Sequence, residues 1–69
     1  MTTTYTVTGM TCGHCAGSVS DEIQRLDGVR EVRVDLATGQ VTVTSDRDLP
    51  EHEVREAVSE AGYQLAVTQ

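Results

Sequence analysis

The sequence contains no tryptophan, no phenylalanine and no lysine, a single proline, and only two each of tyrosine, methionine and cysteine in 69 residues. Each shortage excludes something. With ten valines carrying most of the apolar content, the core is built of small β-branched side chains, suited to a thin sheet with helices on one face. Such a core leaves little volume for a buried organic ligand. Five arginines against eleven carboxylates give a formal charge of −6. That argues against nucleic-acid binding, because phosphate neutralisation needs a basic face. The acidity would suit a basic partner surface, but solubility accounts for it more plainly. No apolar run approaches the ~20 residues of a membrane helix, so no membrane insertion is expected. The start, Met1-Thr2-Thr3-Thr4-Tyr5, has neither the charged nor the apolar region of a signal peptide. A cytoplasmic location is expected, where thiols stay reduced, and one cysteine pair makes no disulfide framework.

A chain of this length is expected to form one domain over residues 1–69. It buries only about 60% of its unfolded surface and keeps a stability margin of roughly a few kcal/mol. Tyr5 and Val7 alternate with threonines over residues 3–8, a strand. Gly9 breaks it and opens a loop. From Cys15 to Asp27 the apolar positions Cys15, Val19, Ile23 and Leu26 make one helical stripe, stopped by Asp27-Gly28 with Gly28 as left-handed cap. Val32, Val34 and Leu36 alternate as a second strand. Residues 37–40 turn the chain into a third, 41–44. Asp48, Pro50 and Glu51 predict a capped helix start, followed by the stripe Val54, Ala57, Val58 and Ala61 and a stop at Gly62. Tyr63 to Val67 is the last strand.

The order βαββαβ predicts an α+β, ferredoxin-like open-faced sandwich: a four-stranded antiparallel sheet with two helices on one face. In that topology the 37–40 hairpin and the Gly62-Tyr63 corner lie at the same end as the loop after the first strand. His52, at the start of the second helix, lies at the other end.

That loop carries both cysteines, in the run Gly9-Met10-Thr11-Cys12-Gly13-His14-Cys15. Two sulfurs three residues apart at a loop-to-helix junction either bind a soft metal ion or cycle between dithiol and disulfide. A closed structural zinc site needs four nitrogen or sulfur ligands, and the local supply is Cys12, Cys15 and at most His14. Cu(I) is different, because soft thiolates suit it and two sulfurs suffice. The Cβ atoms of such a pair stand about 5–6 Å apart, within reach of one ion. The helix N-terminus stabilises the Cys15 thiolate by ~0.3–1 kcal/mol, and by up to ~2 in good geometry. The expected fall is roughly one unit from ~8.5, leaving the metal to complete deprotonation.

At these residues the chain resembles the heavy-metal-associated domains, with their GMTCxxC signature, and within them the small bacterial copper chaperones. The resemblance implies that Cys12 and Cys15 bind Cu(I) and pass it to the metal-binding domain of a copper-transporting P-type ATPase. Relatives specific for zinc or cadmium often carry an acidic residue where this chain has Thr11, which offers no carboxylate to a harder ion. Bacterial copper chaperones often place a tyrosine at the corner where Tyr63 falls. Tyr63 then shields the copper or hydrogen-bonds near a sulfur, the alternative being ordinary strand-start packing. Met10 is an apolar plug under the loop, with a copper thioether as the sharper alternative. His14 points outward and either tunes the site or is a plain exposed histidine. His52 is a solvated helix residue. A copper-bridged homodimer is a further expectation.

Two rivals stand beside the Cu(I) carrier. One is a dithiol oxidoreductase, which this chain suits poorly: no aromatic precedes the pair and no proline follows it closely. The other keeps the fold and changes cargo or context, to zinc, cadmium or mercury, or to a domain excised from an ATPase. Met1 and the lack of a linker favour a stand-alone protein over the excised domain.

Overall fold

Alternation of threonine with Tyr5 and Val7 sends two large side chains to one side of β1 (Thr2–Thr8), where both are buried. The computed structural model describes residues 1–68, and from β1 the chain continues through α1 (Gly13–Gln24), β2 (Val29–Asp35), β3 (Gln40–Ser45), α2 (Glu51–Glu60) and β4 (Gln64–Thr68). The sheet order is β2-β3-β1-β4, antiparallel throughout, so β1 and β3 are central. Each of the two β-α-β crossovers passes over a neighbour, which gives the ferredoxin-like arrangement predicted from the element order.

The core lies between this sheet and the helices. Tyr5, Val7, Val41 and Val43 meet Val19 and Ile23 of α1 and Val54, Ala57 and Val58 of α2. The helical spacing of these residues and the two-residue spacing in the strands select the same interior. Among the described residues no helix is long and apolar enough to cross a membrane.

Several boundaries differ from the sequence expectation, for local reasons. The first helix starts at Gly13, before Cys15, and ends at Gln24, before Asp27. Its exit tightens, with the Arg25 and Leu26 amides donating to the Glu22 and Ile23 carbonyls, the three-residue pattern of a closing turn. Gly28 has φ +88° but lies in the following turn, three residues past the Arg25 cap. The second helix is not capped by Asp48. Pro50 is the N-cap, extended at φ −61°, ψ 138°, and no side chain caps the helix. Proline disfavours helical backbone in the residue before it, so Leu49 does not open the helix and Asp48 stands two residues before the actual cap. Leu36, expected inside β2, lies in the hairpin and is 40% exposed. The strand ends because Asp35 folds back on itself, its Oδ1 accepting from the Ala37 amide and its carbonyl from the Gly39 amide.

Two connections hold the upper end of the molecule, where β1 delivers the cysteine loop. The Val7 amide donates to the Gly39 carbonyl at 2.8 Å. Gly39 has φ +75°, and a Cβ there would stand 2.9 Å from the Val7 carbonyl oxygen, so only glycine fits. The second connection is the exit from α2. The Gly62 amide donates to the Ser59 carbonyl and the Tyr63 amide to the Val58 carbonyl, with Gly62 at φ +91°. This is a Schellman motif. It fixes the direction in which Tyr63 leaves the helix.

At the lower end Arg47 ties three segments together. Its Nε donates to the Asp27 carbonyl and its Nη2 to Glu53, each at 2.7 Å. His52 is exposed at this end, in the first turn of α2, away from the cysteines.

Candidate metal centre

Cys12 is the N-cap of α1, with extended backbone, and its carbonyl accepts the Ala16 amide at 3.2 Å. Counting from Gly13, Cys15 is the third helical residue. From that position a side chain reaches back to the N-cap amide, as glutamate does in a capping box. Here a sulfur does it. The first turn of α1 has no acidic side chain, so a Cys15 thiolate is the negative charge that complements the helix N-terminus. The two-residue interval between the cysteines therefore sets both sulfurs on one helix end, one as cap residue and one reaching back to the cap.

Both cysteines are free; Cys12 is exposed and Cys15 half-buried. Their sulfurs are 3.4 Å apart. The Cys15 thiol is held down to about 6, from an ordinary value of 9.0. The largest cause is the Tyr63 hydroxyl, which donates to the sulfur; the Thr11 backbone, the Cys12 thiol and the Cys12 backbone add to it against the opposing effect of burial. The same contact raises the Tyr63 phenol above its ordinary value, since losing its proton beside a thiolate is unfavourable. The Thr11 hydroxyl stands farther off, 4.0 Å from Cys15 Sγ.

The depth of this shift exceeds the single unit expected from the helix end alone. At neutral pH Cys15 is a thiolate before any metal arrives, so the metal need not complete its deprotonation. The backbone contribution is legible in the sequence once the helix is known to begin at Gly13. The Tyr63 contribution depends on tertiary contact between chain segments far apart in sequence.

The other residues singled out by sequence fall around this pair. Met10 is partly buried and packs against the hydrophobic core. His14 is exposed in the first helical turn. Tyr63 is half-buried, its ring beside Gly9. Among the described residues no three His, Cys, Asp or Glu side chains converge on a common point.

The sign of the pH effect follows from the lowered value. A thiolate favoured in the folded state stabilises that state fully above the ordinary thiol value of 9.0, and the contribution is lost as pH falls through about 6. Alkylation of Cys15 by iodoacetamide is expected to reach half its maximal rate near pH 6. Tyr63→Phe removes the largest cause and moves that midpoint up by about one pH unit. An unmoved midpoint in the variant would show that the phenol does not act on the sulfur.

Comparison with known proteins agrees with this geometry. The family model for the heavy-metal-associated domain matches residues 4–64. The copper chaperone CopZ of Staphylococcus aureus (strain bovine RF122 / ET3-1) is 35% identical over 60 residues, covering 86% of this chain and 88% of its own. A solved CopZ metallochaperone superposes with a TM-score of 0.88 at 31% identity, over 96% of this chain and 100% of that one. Oxidized MerP from Ralstonia metallidurans CH34 gives 0.86 at 36% identity, over 100% and 97%. A copper binding domain from HMA7, a P-type ATPase, gives 0.84 at 27%, over 99% and 96%. Motif, topology and site agree with these matches: the chain belongs to the heavy-metal-associated domain family.

Proposed function

We propose that this chain is a single-domain cytoplasmic Cu(I) carrier, which holds the ion between Cys12 and Cys15 and hands it by thiolate exchange to the metal-binding domain of a copper-transporting P-type ATPase. It is a binding and transfer module, not an enzyme. The observation that carries this is the 3.4 Å sulfur pair at an exposed helix N-terminus, with one sulfur already ionised at neutral pH. Soft thiolates select a soft ion. With metal–sulfur bonds of about 2.3 Å, two sulfurs on opposite sides of an ion stand up to ~4.6 Å apart, so loading opens the pair by roughly 1 Å. Cys12, at the cap and exposed, is free to make that movement while Cys15 stays held by Tyr63.

The named relatives support copper as cargo, and the shared fold of a P-type ATPase domain supports the acceptor. Two ligands leave room for an incoming third, so an acceptor thiolate binds before a donor thiolate leaves. Copper remains Cu(I) throughout. Each new copper–sulfur bond replaces an old one, and protons lost by the acceptor thiols pass to freed donor thiolates or to water. Met10 supports the loop from the core side, and His14 stands on the outer rim.

A second cargo, Hg(II), suits the same pair of soft thiolates. Competitive titration with Cu(I), Zn(II) and Hg(II) under strict reduction, followed by X-ray absorption on the bound ion, separates them. One Cu(I) per chain, bound by sulfur alone at low coordination number and retained against an equimolar competitor, is the expected result. Displacement of copper by either competitor would overturn the assignment of cargo.

A further inference from the structure

β2 closes one side of the sheet, next to β3 alone in the order β2-β3-β1-β4. Among the described residues no strand lies along its outer side, so the outward amides and carbonyls of its middle have no strand partner. The two edges of the sheet differ in chemistry. β4 has no charged residue, whereas β2 has Arg30, Glu31, Arg33 and Asp35. Charges on an edge strand ordinarily discourage pairing, but on β2 the signs alternate along one face. The two-residue period puts Glu31, Arg33 and Asp35 on the open face of the sheet, opposite Thr44, Thr42 and Gln40 of β3. Val32 and Val34 point the other way and pack against the core. Glu31 and Arg33 are both exposed, and Arg33 Nε stands 3.2 Å from Glu31 Oε2.

A strand with this pattern complements itself in one register and repels itself in the next. Antiparallel pairing centred on Val32 sets Glu31 of each copy opposite Arg33 of the other, twice about a two-fold axis, with Val32 beside Val32 on the helix side. Pairing centred on Arg33 sets Arg33 against Arg33 and Glu31 against Asp35, like charges throughout. Pairing centred on Val34 would need Leu36 and Ala37 as strand, and there the chain turns: the Asp35 carboxylate accepts from the Ala37 amide and its carbonyl from the Gly39 amide. Val32 is also the midpoint of Val29–Asp35, so the register with complementary charge is the one that overlaps the whole strand. The ladder to β3 shifts between Val29 and Glu31, and the charged pairs lie beyond that irregularity.

We infer that β2 is an interaction edge whose occupant is a second copy of this chain, the two copies joining their four-stranded sheets into one continuous antiparallel sheet. Because the paired strands run in opposite directions, the two cysteine loops lie at opposite ends of the joined sheet and both sulfur pairs stay open. The contact needs neither metal nor cysteine and does not rest on the carrier role. Each copy carries −6, but at 0.15 M salt screening over about 8 Å leaves the adjacent pairs to decide.

Sedimentation equilibrium of the metal-free, reduced chain provides the test, over concentrations from about 0.01 to about 1 mM, where weak association is resolved. The parent is expected to pass reversibly from one chain to two across that range. Arg33→Glu and Glu31→Arg each turn two attractive pairs into two repulsive ones, and each is expected to weaken association by about tenfold or more. Mixed in equal amounts, the two variants complement one another, since position 31 of either then faces an opposite charge at position 33 of the other. The mixture is expected to associate within about threefold of the parent. Joint Cys12→Ser and Cys15→Ser substitution is expected to leave association unchanged. A parent that remains a single chain throughout would overturn the proposal, as would single variants that associate as the parent does. A mixture that stays dissociated would overturn the register, and loss of association in the cysteine variant would move the contact to the other end of the molecule. None of these outcomes bears on copper binding, which the metal titration tests alone.

Discussion

Cys12→Ser is expected to lower Cu(I) affinity by between a hundredfold and a thousandfold, as an order of magnitude. Four-ligand thiolate and imidazole sites bind zinc with about 10–16 kcal/mol, or ~2.5–4 kcal/mol per ligand. A two-ligand site has no spare ligand to absorb the loss. Serine offers a hard hydroxyl, a poor donor for a soft ion. The fold is expected to tolerate the change, because Cys12 is exposed and its cap role is played by backbone. Competition against a Cu(I) chelator at pH 7, with circular dichroism to verify folding, provides the measurement. Parent-like affinity in the folded variant would rule out joint coordination by the two sulfurs.

Ile23→Ala is expected to destabilise the domain by about 3–4 kcal/mol, within the range for large-to-small changes in tight cores. Ile23 is fully buried where α1 meets the sheet, and the side chains around it are mostly valines whose branched carbons have few rotamers with which to refill a void. In a chain of 69 residues such a loss consumes much of the total stability. Each kcal/mol shifts Tm by roughly 4–8 °C in domains of this size, so the midpoint falls by ~12–30 °C. A fall under about 5 °C in thermal unfolding would show that the core has room to relax.

These two sites mark what the residues themselves disclose. Ile23 was readable as core because its spacing from Val19 and Leu26 is helical, and burial follows from that stripe. The cysteines were readable as a site because their spacing, the preceding Gly9 and the following helical pattern agree. The topology followed from six alternating patterns, and with it the separation of His52 from the sulfurs. What failed was decided by single backbone angles. Pro50 remained extended and moved the start of α2 past its apparent cap. Asp35 closed a turn on its own carboxylate and put Leu36 in solvent. No periodicity reports either event. The depth of the Cys15 shift was hidden for another reason: it needs Tyr63, whose approach is set by the packing of α2.

The Schellman corner after α2 has a consequence for synthesis of the protein. Cys15 emerges from the ribosome 48 residues ahead of Tyr63, so a nascent chain carries the two thiols without the phenol until the corner after α2 is in place. Only then does the phenol reach the sulfur and the thiolate become the resting form at neutral pH. An unfinished or misfolded copy thus offers a soft ion fewer ionised sulfurs at neutral pH than the folded domain does.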